Sequence, residues 1–294
     1  MTRKRTSGPD HVTRRTVLAG AGAAAAMAAA PAFAADENAD FQQGRDVFTN
    51  GTAWAENLQA QDLFNKALLA EPNLASAKAY LAHSYIREWR HNWWSVSEAD
   101  CLAKATQNAE AAMAMDDHNA DAHLVMAIVH LVKGEFAEAE KEFAAAVALN
   151  GSPGSPDLLA EVGFGEIYLG DKAAGIAKLE QAIAANANHP WWYESALGWG
   201  YYQNHQYAEA VTTIKNLKKP VNDVNLILAA AYVRLKDLPS AQAAMAEFLK
   251  GETWTIADES GAFFKVDGDE QHWLEALSAA GMPAGAGKTP QPGP

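Results

Sequence analysis

The chain has 294 residues, of which 49% are hydrophobic and 20% charged, so it is long and apolar enough to bury a sizeable core. Its formal net charge is −13, and residues 35–294 carry −17 because residues 1–34 hold five basic residues and one acidic residue. Such an acidic chain lacks the basic stripe that binds phosphates, so we expect neither nucleic acid nor an anionic membrane as a partner. Cys101 is the only cysteine, which excludes an internal disulfide and a cysteine-rich metal site.

Residues 1–34 have the three-part layout of a secretory signal. A basic stretch is followed by a mild apolar run over residues 17–30 and then by Ala32-Phe33-Ala34, where small residues fit a signal peptidase. The pair Arg14-Arg15 resembles a twin-arginine signal. A transmembrane anchor is disfavoured because the run is short and rich in alanine and glycine. We therefore expect export to the periplasm by the twin-arginine route, cleavage after Ala34 and no membrane span after signal removal.

A repeat runs through the alanine-rich middle of the chain. Each repeat begins with a helical pattern and has a short polar turn at about the same place, over residues 123–150, 158–186, 193–217 and 225–249. A small residue then recurs at intervals of 36, 35 and 31 residues, at Ala139, Gly175, Ala210 and Ala241, with Ala60 and Ala105 upstream. Two helices that cross closely need a position without bulk, so the pattern predicts paired helices in contact.

This pattern resembles the tetratricopeptide repeat (TPR), a helix-turn-helix unit of about 34 residues. The leucine and small residue that the family usually carries in its first helix are matched by Leu81-Ala82, Val162-Gly163, Leu197-Gly198 and Leu228-Ala229. The resemblance covers residues 41–250, as five full repeats and a degenerate first one. It implies an all-α fold, a right-handed superhelix of stacked helix-turn-helix repeats, forming a domain over residues 41–281 with a C-terminal capping helix.

A closer resemblance is to the TPR region attached to some bacterial class III adenylate cyclases. It is carried by residues 91–123, 185–210 and 270–283. The first of these stretches accounts for 11 extra residues between Ala60 and Ala105, which we interpret as a loop carrying Trp89, Trp93 and Trp94. In that family the region is a regulatory or interaction module, and we expect no cyclase domain here because an export signal directly precedes the repeats. The resemblance therefore implies fold and not catalysis.

The C-terminal part of the chain changes character after the last repeat. Residues 269–280 form an amphipathic pattern that Gly281 ends, and this helix is the expected cap. Residues 254–267 have no strong period and are predicted to be a linker that packs partly through Phe263 and Phe264. Residues 284–294 have too little hydrophobic content to fold and are predicted to be a disordered tail.

Seven aromatic residues lie in the stretch from Trp191 to Tyr207. They form either part of the hydrophobic core or a binding surface. Helical spacing places Trp191, Leu197 and Tyr201 on the side that packs against other helices. The same spacing predicts a concave binding face, which anchors a peptide or an apolar ligand through its aromatic rings. Its members are His83, Arg87, Asp121, Leu124, Phe164, Tyr168, Trp192, Trp199, Tyr202, Gln203 and Arg234.

Catalytic and metal-binding patterns are weak. His118, His123 and His130 lie nearest one another among nine histidines, and His130 fills a slot where the repeat usually has tyrosine, so we interpret it as a packed residue. Ser195 beside Glu194, with His189 nearby, is interpreted as a chance grouping. We expect no enzyme activity, no cofactor and no metal.

Three functions remain open from the sequence. The first is a non-catalytic scaffold that binds a protein or peptide partner of basic character in the cell envelope. The second is a small-molecule binding or sensing module that uses the tryptophan-rich face as a pocket. The third is a maturation factor or accessory subunit of an exported redox enzyme. A closed cavity around Trp192 and Trp199 favours the second, and an open trough with mixed charge at its rim favours the first; the sequence does not indicate the oligomeric state.

Overall fold

The computed structural model describes residues 38–218, 221–250, 253–261 and 263–286. The predicted signal, residues 1–34, lies outside this part of the chain. The described residues form helices and no strand. None of these helices combines the length and the apolar character needed to cross a membrane. The helices are α1 (Ala39–Asn50), α2 (Trp54–Ala70), α3 (Ala75–Arg90), α4 (Glu98–Met115), α5 (Ala120–Val132), α6 (Phe136–Leu149), α7 (Pro156–Tyr168), α8 (Lys172–Ala185), α9 (Trp191–Gln203), α10 (Tyr207–Lys215), α11 (Val224–Arg234), α12 (Leu238–Phe248), α13 (Ile256–Glu259) and α14 (Asp269–Ala280).

The first twelve helices form six helical hairpins stacked in chain order. Each odd-numbered helix packs against the even-numbered helix that follows it, and it also contacts the next odd-numbered helix. The odd-numbered helices α1 to α11 therefore form one continuous inner layer, which gives a solenoid its concave face. This arrangement confirms the predicted all-α solenoid of TPR-like hairpins.

The turns of the last four hairpins share one backbone feature. The residue five positions before the small residue of the second helix has a positive φ in every case, at Gly134, Gly170, His205 and Lys236. Only glycine adopts this conformation without strain, and an ordinary residue there costs about 1 kcal/mol. The turn geometry is therefore kept even where the glycine is replaced, which explains why the repeat is hard to see from glycines alone.

The small residues of the repeat lie where two helices cross. A Cβ on Gly163 of α7 would come within 2.7 Å of the carbonyl oxygen of Gly175 on α8, and a Cβ on Gly175 within 2.4 Å of that of Gly163. The alanines at the equivalent positions, Ala60, Ala105, Ala139, Ala210 and Ala241, are fully buried. The predicted requirement for small residues thus follows from backbone-to-backbone contact.

The predicted insertion lies between α3 and α4. The loop spans residues 91–97 and carries Trp93 and Trp94, whereas Trp89 lies on α3 itself and not in the loop. Buried Glu88 fastens the loop, because its carboxylate accepts hydrogen bonds from Ser95 N at 2.9 Å and Ser95 Oγ at 2.5 Å. Gln61 Nε2 donates to the other carboxylate oxygen at 2.5 Å, which joins the loop to α2.

Residues 253–286, without residue 262, form what we call the C-terminal segment. Its helix α14 packs against α11 and α12 and ends at Gly281, whose φ is 105°, as predicted. Two polar contacts hold the segment to the seventh and eighth helices: Lys265 N donates to Tyr168 O at 2.9 Å, and Lys172 Nζ lies 2.7 Å from Asp269 Oδ1. Ala284, the first residue of the predicted tail, accepts a hydrogen bond from Ala257 N at 3.1 Å. Residues 287–294 lie outside the described residues.

Candidate functional site

The C-terminal segment and the inner helices line a partly open cavity of about 720 Å³. Its walls come from α3, α5, α7, α9 and α11, from the start of α2, and from the C-terminal segment. Eight of the nine tryptophans in the chain line it: Trp54, Trp89, Trp93, Trp191, Trp192, Trp199, Trp254 and Trp273. Residues distant in sequence thus contribute to one aromatic site, which we call the tryptophan cavity.

Aromatic packing attaches the C-terminal segment to the inner helices. The ring of Trp273 meets that of Trp199 edge-on at 4.8 Å, and Phe263 and Phe264 lie 4.8 and 5.0 Å from Tyr168. Aromatic pairs in such geometries contribute about 0.5–1.5 kcal/mol each beyond the burial of their area. The expectation that Phe263 and Phe264 pack their segment onto the repeats matches these contacts, and their packing closes one side of the cavity.

The two carboxylates with which the segment lines the cavity, those of Asp258 and Glu259, are already hydrogen bonded. Glu259 accepts from the indole nitrogens of Trp254 at 2.7 Å and Trp273 at 2.8 Å, and burial raises the pKa of its carboxyl group. Asp258 accepts from Thr255 N at 2.9 Å and from Asn92 Nδ2 at 3.2 Å. These bonds fix the indole rings and tie the segment to the loop after α3.

Two arginines of α3 line the cavity. Arg87 Nη1 donates to Phe48 O at 2.7 Å, and its guanidinium lies 3.6 Å from the centroid of the Phe48 ring. Arg90 Nη2 donates to Tyr168 Oη at 3.5 Å, and its guanidinium lies 4.7 Å from the centroid of the Phe164 ring. Burial lowers the pKa of Arg87 to about 10. Within the described part of the chain, neither guanidinium forms an ion pair with a carboxylate.

Burial shifts the pKa values of the titratable groups around the two arginines. Burial raises the pKa of Glu161 to about 7, against the opposing pull of Arg87 and Arg90. Burial, reinforced by the same two arginines, lowers the pKa of His83 and of His91 to about 3. Both imidazoles are therefore neutral at pH 7, and His83 Nε2 lies 3.8 Å from Glu161 Oε1.

The structure brings most of the predicted binding residues together, though not all of them. The tryptophan cavity is lined by His83, Arg87, Phe164, Tyr168, Trp192 and Trp199. Asp121 and Leu124 line a smaller adjoining recess of about 30 Å³, which shares His83, Arg87 and Trp192 with the cavity.

Three residues predicted to lie on the concave binding face are covered instead. Tyr202 is fully buried and donates to His272 O at 3.3 Å, Gln203 is 1% exposed, and Arg234 Nη2 donates to His272 O. The reason is the position of α14, which lies against α11 on the inner side and so converts this end of the concave face into core. The structure thus places Tyr202 and Gln203 in the core and partly exposed Arg234 against α14, instead of on an open face.

Other lining residues were not identified from the sequence. Trp191, predicted to pack against other helices, lines the cavity with Trp192. Arg90, Trp254 and Trp273 were not predicted either, because they lie outside the face that helical spacing defined for the repeats or in the C-terminal segment. The one available signal was the clustering of tryptophans in the repeats, the insertion and the C-terminal segment of an otherwise alanine-rich chain.

The histidines form separate contacts. His123 Nδ1 lies 2.5 Å from Glu142 Oε2, and His130 Nδ1 lies 2.6 Å from Glu135 Oε2. Among the described residues, the one group whose ligand atoms lie within 4.8 Å of one another is formed by exposed Asp116, Asp117 and His118. Exposed acidic groups of this kind are common, and we assign no site to it.

Many solved structures are similar to this chain, and three of them are the following. A monomeric IFIT1 mutant with Gppp-AAAA gives a TM-score of 0.59 at 17% identity, over 83% of this chain and 59% of that one. The APC/C hetero-tetramer Cut9-Hcn1 gives 0.53 at 17% identity, over 76% and 40%. PilW, a type IV pilus biogenesis factor, gives 0.50 at 16% identity, over 71% and 90%. At these identities the likeness shows the fold alone, a TPR solenoid. No protein-family model and no curated protein matches the chain.

Proposed function

We propose that this protein is a non-catalytic binding module that holds a small organic ligand in the tryptophan cavity. The observation that carries the proposal is the partial covering of the concave face around Trp192 and Trp199 by the chain's own C-terminal segment, which leaves a partly open cavity lined by eight indole rings. An open trough suits an extended peptide, whereas a lined cavity suits a compact ligand. The contrast favours the small-molecule function over the scaffold function.

Size and lining agree with this proposal. Small-molecule pockets typically measure about 300–1,000 Å³ and are lined by apolar and aromatic side chains with a few polar groups that fix orientation. The cavity measures about 720 Å³ and combines eight indole rings with Arg87, Arg90 and Glu161. It therefore has both the apolar area for affinity and the charged groups for selectivity.

The test is retention of a ligand by the purified chain. Native mass spectrometry compares the parent with Ser195→Trp, which places an indole in the cavity, and with Ser278→Trp, which places one on the exposed side of α14. We expect a small-molecule adduct on the parent and on Ser278→Trp but not on Ser195→Trp. Equal adducts on all three proteins, or an adduct on none, would contradict binding in the cavity.

We also propose that the protein acts in the periplasm after twin-arginine export, as the Arg14-Arg15 pair indicates. The arginine pair is replaced by two lysines, and the chain is followed by cell fractionation. We expect the periplasmic protein to be lost and a longer precursor to accumulate inside the cell. Export unaffected by the replacement contradicts this route. The resemblance to cyclase-attached repeats stays a prediction and does not support this proposal.

A second candidate is a basic peptide bound at the adjoining recess. Three carboxylates, Asp121, Asp157 and Glu161, line this recess on neighbouring inner helices, and an acidic surface attracts a basic partner. The test is fluorescence anisotropy with a labelled oligolysine peptide at rising salt. Binding that Asp121→Asn weakens and salt suppresses supports this candidate, and binding unchanged by both contradicts it.

A further inference from the structure

The polar groups of the tryptophan cavity are unevenly satisfied. The carboxylates of Asp258 and Glu259 each accept two or more hydrogen bonds from neighbouring side chains or backbone. By contrast, the indole nitrogens of Trp54, Trp191 and Trp199, which also line the cavity, are buried without a hydrogen-bond partner among the described residues, and half-buried Arg87 makes one hydrogen bond although a guanidinium carries five N–H donors. The cavity therefore offers hydrogen-bond donors that lack an acceptor within the protein.

The two arginines also lie on one face of α3. They are three residues apart on α3, so their side chains leave the helix on the same face. Each guanidinium lies against an aromatic ring, Phe48 for Arg87 and Phe164 for Arg90, and this orients the planar groups. A guanidinium oriented in this way matches a carboxylate or a phosphate, which accepts paired hydrogen bonds.

The arginine pair is the positive part of a lining that also holds four carboxylates, those of Glu161, Asp223, Asp258 and Glu259. The arginines are the cations that line the cavity, since the pKa values of His83 and His91 are about 3. Burial raises the pKa of Glu161 to about 7, so part of its population is uncharged at neutral pH. Asp258 and Glu259 already accept hydrogen bonds from the protein, so the cavity's affinity for a charged ligand depends on the arginines, although the tryptophan rings alone would suit a cation.

We propose that the ligand is a small organic anion with a planar aromatic body, whose carboxylate or phosphate binds Arg87 and Arg90 while its ring packs among the tryptophans. This inference rests on the proposed function, because it names the ligand class of the same cavity. The aromatic lining supplies contact area, and the arginine pair supplies orientation. Because of the arginines, neutral and cationic molecules of the same shape bind less tightly than the anion.

The experiment uses four naphthalene probes of one size: naphthoate, naphthyl phosphate, the neutral naphthamide and the cationic naphthylmethylammonium. Binding to the purified chain is measured by calorimetry. We expect the two anions to bind at least tenfold more tightly than naphthamide, and naphthylmethylammonium to bind most weakly. The carboxylate and phosphate probes distinguish the two sources of anionic charge.

Two variants test whether the anion binds at the arginines of the cavity. Arg90 is exposed and makes one long hydrogen bond, so Arg90→Gln leaves the fold intact and is expected to weaken anion binding at least tenfold with little change for naphthamide. Arg45→Gln is the matched control, because Arg45 lies beside the ring of Phe41 and outside the cavity. We expect it to change no affinity.

The outcomes separate the two proposals. Equal binding of naphthoate and naphthamide, or tightest binding of the cation, overturns the anionic ligand but leaves a ligand-binding cavity. Binding of none of the four probes, together with the absence of a retained adduct in native mass spectrometry, overturns both. Loss of anion binding in Arg45→Gln as well as in Arg90→Gln shows a non-specific charge effect and also overturns the inference.

Discussion

Replacing Glu161 with glutamine is expected to stabilise the protein at alkaline pH. The side chain is 20% exposed beside Arg87, Arg90, His83 and Asp157, and burial raises its pKa from 4.5 to about 7. Because the folded state holds the proton more tightly, stability that is present below pH 4.5 is lost as the pH rises through 7. The full loss corresponds to about 3 kcal/mol at pH 8, since each pKa unit is worth about 1.4 kcal/mol.

The assay is urea unfolding of the parent and of Glu161→Gln between pH 4 and pH 8. We expect the variant to be more stable by about 2–3 kcal/mol at pH 8 and the difference to vanish near pH 4.5. Comparing the two proteins removes the contribution of His83, whose lowered pKa makes stability rise with pH between 3 and 6.5. Glu138→Gln on an exposed surface is the control and should change stability by less than about 0.5 kcal/mol. A difference that is constant with pH, or that grows toward acid pH, would refute the reasoning.

Three further predictions concern buried polar groups. Glu88→Ala should lower the free energy of unfolding by about 2 kcal/mol in denaturant titrations, because it leaves the donor of Gln61 buried and unpaired and removes the hydrogen bonds from exposed Ser95. No change in stability would show that the loop is not held by this carboxylate. Gln203→Met should leave the free energy of unfolding unchanged or raise it, since both polar atoms of this buried amide lack a partner among the described residues. A loss of stability above about 2 kcal/mol would contradict this prediction. Burial and the neighbouring Glu88 raise the pKa of Cys101 to about 12, so iodoacetamide should label it only after unfolding. Rapid labelling of the folded protein would refute this.

The repeat architecture could be predicted because it depends on the spacing of residues that are close to one another in sequence. The small residues at Ala139, Gly175, Ala210 and Ala241 mark the helix crossings, and the turns five residues earlier keep a left-handed residue even at His205 and Lys236. Helix α14 was equally predictable from its apolar spacing and from Gly281. Each of these features depends on neighbours within one or two turns of helix.

The site was only partly predictable because its closure depends on long-range contacts. Nothing in the spacing of residues 254–267 indicates that Phe263 and Phe264 pack on Tyr168, about a hundred residues earlier in the chain. Without that contact, helical spacing assigned Tyr202 to an open face, whereas α14 covers it. The same missing contact hid the role of Trp254 and Trp273 as walls of the cavity.

The central claim is that a ligand binds inside the tryptophan cavity, and fluorine NMR of the fluorotryptophan-labelled chain tests it most directly. Eight of the nine tryptophans line the cavity and Trp94 does not, so Trp94 serves as the internal reference, assigned with Trp94→Phe. On addition of naphthoate, we predict saturable shifts of the cavity resonances, with Trp192 and Trp199 among them, and a stationary Trp94 signal. Saturable binding that leaves Trp192 and Trp199 unshifted, or that shifts Trp94 most, would contradict the account.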